Sequence, residues 1–320
     1  FLWFIMTSRT NHGPTQDFFR KHDYFGFPES DIMLFQQGMM PAVDKSGKLI
    51  MAEPDRVFMS PNGHGGSLKA LADSGALDDM QARGIDTVFY YQVDNILIEI
   101  CDPAFTGYHL REQADMSAKV LRKRTPEEKV GIVANVNGDT HVVEYSDLSE
   151  DEMYAKNNSG DLKYSFGSIA IHLFQTSFIR EITGKNKHLP YHRAEKQIPY
   201  VDEQGSRVEP DGKNGIKFEM FVFDALPEAD GNVLLEVDRE NEFAPVKNAR
   251  GEDSPQTAVT AFYRKHANSL EKAGVKVPRD EEGAPLFPVE VDFRLIYNPE
   301  LLREKAADIG KISAPLLLEK

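Results

Sequence analysis

Residues 87–93, Thr87-Val88-Phe89-Tyr90-Tyr91-Gln92-Val93, are apolar on both alternating faces apart from Gln92. A strand with no polar face has no side to offer water, so it must be covered by other elements on both sides, as in sheets flanked by helices. The run is read here as a central strand of an α/β domain. Its surroundings agree, because short apolar runs alternate with helical patterns over roughly the first two thirds of the chain, which points to a largely parallel sheet. Further strands are expected at 1–7, 33–37, 118–121, 130–136 and 141–145. Helices are expected after Pro14, at 66–83, at 103–113 and at 215–226. Gly/Asp/Pro-rich stretches at 202–214 and 250–256 read as a hairpin loop and as a boundary, giving a catalytic unit at 1–250 and a small α+β unit at 251–320.

Composition narrows the partners. The 320 residues carry a formal charge of -14, which leaves no broad basic face for a polyanion and excludes nucleic acid or an anionic membrane as the main partner. A phosphorylated ligand would need a local cluster of cations. With Cys101 alone there is no intrachain disulfide and no cysteine-based zinc site, and a reducing cytoplasm is the expected compartment. Cys101 itself reads as a small buried residue. The apolar run at 1–6 is too short to span a membrane and lacks the flanks of a signal peptide. Residue 1 is Phe and already lies inside that run, so the chain is read as truncated at its N-terminus.

Three constellations suggest chemistry. In Pro61-Asn62-Gly63-His64-Gly65-Gly66 the glycines permit close backbone approach to a ligand just ahead of a helix start, although a flexible turn reads equally well. Asp94-Asn95 ends the apolar strand, where α/β sheets bind ligands, and Asp94 could hold Mg²⁺ between phosphates; a helix cap is the plain alternative. Lys217 follows Asn214-Gly215 and is read in the first turn of a helix, against the dipole, a local cost that makes sense if its ammonium is aimed at a phosphate. His188 and His192 have i, i+4 spacing, but Pro190 between them speaks against a helical zinc site.

The wording and order of these motifs resemble the UDP-sugar pyrophosphorylases, and among them the UDP-N-acetylglucosamine (UDP-N-acetylhexosamine) type. The resemblance starts at Ile5-Met6-Thr7-Ser8 and runs through Phe35-Gln36-Gln37-Gly38 with Pro41, the glycine loop and Asp94-Asn95. It continues through Val142-Val143-Glu144-Tyr145, residues 198–202 and 214–224, and Glu242-Phe243-Ala244-Pro245-Val246-Lys247-Asn248-Ala249. It implies a Rossmann-like mixed central sheet of the nucleotidyltransferase, glycosyltransferase-A-like type. It further implies a uridylyltransferase that joins UTP and a sugar-1-phosphate into UDP-sugar and pyrophosphate with Mg²⁺. By carry-over, Gln37, Pro61 and the backbone of Gly63 bind the nucleotide, His64, Glu144 and Ser168 face the sugar, Asp94 holds the metal, and Lys217 contacts phosphates.

Two departures bear on the sugar. The N-acetylhexosamine enzymes usually carry Asn at the positions of His64 and Ser168, and the Gly-His-Gly wording resembles the UDP-glucose version. The expected substrate is N-acetylglucosamine-1-phosphate, with glucose-1-phosphate or a broad UDP-sugar specificity as the alternative. The family's Gly-rich loop with its Arg and Lys, which precedes the strand at 1–7, is absent, so the chain alone is expected to turn over UTP negligibly. A nucleotide-sugar binding protein without catalysis is the alternative from another class, and an α/β domain with a different transfer chemistry is a third.

Overall fold

The structure is a computed structural model and describes residues 2–184 and 188–320. In chain order it builds β1 (Trp3–Thr7), α1 (His12–Lys21), β2 (Ile32–Gln36), β3 (Met39–Pro41), β4 (Met59–Pro61), α2 (Gly66–Asp73), α3 (Ala76–Ala82) and β5 (Thr87–Tyr90). There follow α4 (Pro103–Arg111), β6 (Met116–Arg122), the hairpin β7 (Ile132–Val136) and β8 (Asp139–Val143), and the long β9 (Phe166–Gln175). The site is completed by β10 (His192–Lys196), β11 (Gly215–Glu219), β12 (Asn232–Glu236) and α5 (Pro255–Lys272).

The main sheet is mixed, in the order β8-β7-β9-β6-β12, with β6 parallel to β12 and antiparallel to β9. On the other edge of β9, β7 pairs at Gly167 and β5 pairs from His172 to Gln175, so the two lie end to end. A bulge between Ser168 and His172, with Ala170 at φ 55°, bends β9 between these partners. β1 and β2 form a separate parallel pair. The α/β class read from the sequence holds, but the largely parallel sheet does not: among the described residues only the β6–β12 pairing of the main sheet is parallel, because β9 runs antiparallel to β5, β6 and β7.

Four local expectations are corrected. The apolar run at 87–93 is not a central strand: β5 stops at Tyr90 and pairs with β9 alone, while Val93 is 94% exposed. The cause is the next turn, which is tied to residues 242–246 and pulls the chain out of the sheet. The helix expected at 66–83 is two, because Gly75 adopts φ 81° and the chain turns there. The helix expected at 215–226 is the strand β11 followed by a 3₁₀ turn, Val222–Glu228. Here the Asn214 amide donates to Ile198 O (2.9 Å) and accepts from Ile198 N (2.7 Å), which zips 215–219 antiparallel onto 192–196. Tertiary pairing thus overrides a helical pattern, and the dipole argument for Lys217 falls with it. Cys101 is exposed rather than buried.

Local rules hold elsewhere. Asp102 caps α4 by accepting from Ala104 N (2.8 Å) and Phe105 N (3.3 Å), with Pro103 opening the helix. That helix buries Phe105 completely against the sheet, together with Ile171 and Leu173 of β9. α5 begins with a Ser254/Thr257 capping box and carries an apolar cluster of its own, including Leu270, Val289, Leu295 and Leu302.

One buried charge ties these parts together. Lys119 of β6 has no exposed surface, and its ammonium binds Asp102 (2.8 Å) and Glu242. Lys265 of α5, also buried, binds Glu99 (3.2 Å) and donates to Leu97 O (3.0 Å) and Asn241 O (2.8 Å). Removing one member leaves an uncompensated buried charge. Lys119→Met is therefore expected to lower unfolding free energy by about 3–5 kcal/mol, read from urea denaturation at pH 7. A change below about 1 kcal/mol would show that water reaches this cluster.

Candidate active site

The glycine loop is held by close backbone approach on both sides. Asn62 N donates to Gly38 O (3.1 Å), Met220 N donates to Asn62 O (2.8 Å), and Gly65 N donates to Met220 O (2.8 Å). A Cβ on Gly63, which sits at φ 85°, would fall 2.5 Å from Met220 O, and one on Gly65 would fall 2.6 Å from the Phe221 carbonyl carbon. A Cβ on Gly66 would strike the buried amide of Asn62. The loop is a fixed cradle and not a flexible turn. Pro61 enters it from β4, paired with Met39 of β3. Gln37 lies just beyond β2, where its N–H donates to Thr7 O (2.8 Å), and it lines a cavity of about 440 Å³ with Gly38, Asn62, Gly66 and Lys69.

His64 projects from the loop against Phe221 and Phe223, with ring centroids 5.2 and 5.7 Å away. Its Nδ1 accepts from Val222 N (3.2 Å), so the neutral ring carries its proton on Nε2. Burial holds its pKa down at about 4, which keeps it neutral at pH 7. Phe221 also packs, tilted by 37°, on His192 (4.6 Å), whose Nε2 binds Asp224 (2.8 Å). The spacing of His188 and His192 therefore serves no common site, since His188 faces Tyr191 and the Leu189 carbonyl.

Glu144, at the end of β8, belongs to the same polar wall. Burial raises its pKa and Asp147 raises it further, while His192 and Lys247 lower it. Ser168 is adjacent: its N–H donates to Gly131 O (2.8 Å), and a Cβ on Gly131 would lie 3.6 Å from Glu144 Oε1. The structure thus joins His64, Glu144 and Ser168 through Phe221, His192 and Gly131, although they lie far apart in the chain.

Asp94 stands in the turn after β5, half-buried, and its carboxylate accepts no hydrogen bond and forms no ion pair among the described residues. The turn is rigid. The Asn95 amide donates to Glu242 O (2.7 Å) and accepts from Ala244 N (2.9 Å), and Val246 N donates to Asp94 O (2.9 Å). The next residue, Lys247, has its ammonium 5.8 Å from the Phe243 ring centre and within electrostatic reach of Glu144. Sequence reading missed Lys247 and the His192–Asp224 pair. Lys247 lies inside a quoted motif without a role, and nothing in the spacing of 192 and 224 announces their contact.

A half-buried carboxylate free of protein partners fits a hard cation that keeps oxygen ligands from a phosphate. The cluster Glu99, Asp102 and Glu242 also brings carboxylate oxygens together, but each of the three is already ion-paired with a buried ammonium, Lys119 or Lys265. Lys217 sits on β11 with its ammonium 5.3 Å from the Phe58 ring centre and no ion pair among the described residues. Two residues on, the side chain of Glu219 faces Gly63, so this side of β11 borders the glycine loop. No helix among the described residues is long and apolar enough to cross a membrane.

The sequence pattern described as UTP-glucose-1-phosphate uridylyltransferase matches residues 2–282. UDP-N-acetylhexosamine pyrophosphorylase-like protein 1 of Xenopus tropicalis is 43% identical over 287 residues, covering 89% of this chain and 56% of that protein. The human protein of the same description is 42% identical over 277 residues, 86% of this chain and 55% of its own length. The chain spans about half the length of these curated relatives. A solved structure described as a UDP-N-acetylglucosamine pyrophosphorylase from Entamoeba histolytica superposes with a TM-score of 0.86 at 36% identity, covering 99% of this chain and 78% of that one.

Buried histidines set an acid limit on this architecture. His64 is held at about 4, His172 at about 3 and His266 at about 4, each chiefly by burial, against an ordinary value of 6.5. Groups with depressed folded pKa bind fewer protons folded than unfolded, so their stability is complete above about 6.5 and is lost as pH falls toward about 4. Denaturation midpoints at pH 7, 5.5 and 4.5 should fall in that order, and His64→Asn should flatten the slope. An unchanged slope in that variant would place the His64 titration near its ordinary value.

Proposed function

Because the chain belongs to the UTP-glucose-1-phosphate uridylyltransferase family, we propose that it carries the base, sugar and metal positions of an enzyme that forms UDP-sugar and pyrophosphate from UTP and a sugar-1-phosphate. One observation carries the reading: the Asp94 carboxylate, free of protein partners among the described residues, on a turn fixed by Asn95 and Val246. Residues 1–250 would form the catalytic unit and 251–320 an accessory one, a division supported by the separate apolar cluster of the latter. The lone cysteine suits a cytoplasmic setting.

In this reading a phosphate oxygen of the sugar-1-phosphate attacks the α-phosphorus of UTP in line, and the bond to pyrophosphate breaks. No covalent enzyme intermediate is needed, so catalysis rests on alignment and on cations. The Gln37 amide and the Gly63 backbone supply donor and acceptor edges for uracil, with Pro61 bordering the base. Lys217 and Lys247 attract the phosphates. Glu144 accepts from sugar hydroxyls, and neutral His64 donates through Nε2–H, with Ser168 beside them. Asp94 would hold Mg²⁺, which spreads the charge developing on the phosphate oxygens when bound.

The sugar is read as N-acetylglucosamine-1-phosphate, in line with the names of the relatives. His64 and Ser168 favour glucose-1-phosphate as the second reading, since an imidazole and a hydroxyl stand where an acetamide would find two amides. Coupled pyrophosphate assays of the full-length gene product with N-acetylglucosamine-, N-acetylgalactosamine- and glucose-1-phosphate decide between them. Absence of pyrophosphate with all three would favour a binding protein without catalysis.

Asp94→Asn conserves volume and is expected to lower turnover by about a hundredfold or more with the fold intact. Full activity with unchanged Mg²⁺ dependence in that variant would remove Asp94 from the site. The double variant His64→Asn/Ser168→Asn is expected to shift the ratio of kcat/KM values toward the N-acetylhexosamine phosphate by roughly tenfold, a difference of about 1.4 kcal/mol in transition-state binding. The same ratio before and after would show that the sugar is read elsewhere.

A further inference from the structure

Phe221 touches two imidazoles, His64 at a tilt of 32° and His192 at a tilt of 37°. Both imidazoles also bond to the residues that follow it: Val222 N donates to His64 Nδ1 (3.2 Å), and His192 Nε2 binds the Asp224 carboxylate (2.8 Å). Residues 221–224 are thus gripped by ring contact and by hydrogen bond from two parts of the chain, the glycine loop and the start of β10. His192 opens β10 and pairs with Glu219, the residue before Met220, whose N–H and carbonyl clamp the glycine loop.

The same turn bears on Glu144. β8, which ends at Val143, packs on the turn Val222–Glu228, and Val142 and Val222 share one core cluster. Burial and Asp147 raise the Glu144 pKa most, and next in order His192 lowers it and Asp224 raises it. No hydrogen bond or ion pair among the described residues joins His192 or Asp224 to Gln37, Asp94 or Lys217.

The Asp224 side chain is 14% exposed; burial raises its pKa, and the bond from His192 is the first influence that opposes the rise. A buried carboxylate that loses its donor takes up a proton or turns toward water. In either case the turn loses its tie to β10, and the N–H that orients the His64 ring sits only two residues away.

We propose that His192 and Asp224 are a positioning pair for the sugar-facing wall: they hold the 221–224 turn and, through it, the His64 ring relative to Glu144. The inference rests on the reading of His64 and Glu144 as sugar-facing, and it assigns the pair to recognition of the sugar-1-phosphate and not of UTP.

Kinetics of the full-length gene product test this, with N-acetylglucosamine-1-phosphate and UTP varied separately. His192→Ala is expected to raise KM for the sugar phosphate about tenfold while KM for UTP stays within about twofold. His192→Gln, whose amide can still donate to Asp224, should recover most of that loss. Asp224→Asn, close in shape, should raise the same constant by roughly threefold, and reads the pair even where His192→Ala does not fold. The double variant His192→Ala/Asp224→Ala should lose no more than His192→Ala alone, because the two residues act as one unit. An equal rise in both KM values, no rise in either, no recovery with Gln, or additive losses overturns the proposal. A wild-type protein that releases no pyrophosphate with any sugar phosphate defeats the reading of the function instead. Calorimetry then decides the pair: His192→Ala must weaken UDP-N-acetylglucosamine about tenfold more than UDP, and equal weakening of the two overturns the proposal.

Discussion

A lysine with no exposed surface is costly unless its ammonium is fully paired, and Lys119 pays that cost to join parts of the chain that are remote in sequence. Its partners Asp102 and Glu242 sit at the start of α4 and just before the segment 243–249. Glu242 also offers its backbone carbonyl to Asn95. The position of Asp94 therefore depends on a buried ion pair to which Asp94 itself contributes nothing. Lys265 extends the same network into α5, so that helix braces the segment that follows the candidate metal ligand.

This arrangement separates two kinds of acidic residue. Glu99, Asp102 and Glu242 face two buried ammonium groups and hold the framework together. Asp94 stands apart with its oxygens free, half-buried at the rim. Burial makes the first set costly to disturb, whereas the Asp94 oxygens have no protein partner among the described residues to release before meeting a ligand. Neutral His64 follows the same economy of charge, because its ring is fixed by a backbone N–H and two aromatic neighbours and needs no counter-ion.

The β1–β2 pair raises a different issue. Gln37 and the glycine loop belong to the side of the molecule built on β1 and β2, and Asp94 to the side built on β5 and β9. Phe4, Met6, Val88 and Tyr90 pack on one core cluster, and among the described residues no ladder of hydrogen bonds joins β1 to β5.

The α/β class was legible in the alternation of apolar runs with helical patterns. The glycine loop was legible because close backbone approach admits no other residue at 63 and 65, and the resemblance supplied roles for Gln37, Asp94 and Glu144. Pairing was not legible. Residues 215–219 read as a helix until Asn214 locked onto Ile198, and 87–93 read as central until the turn at 94–95 was tied to 242–246. Lys247 and the His192–Asp224 pair lay beyond spacing arguments for the same reason. Local sequence determines which conformations a segment tolerates and which faces it must bury. The choice among them is made by contacts between segments from 16 to 147 residues apart, whose energies appear only when the chain is folded.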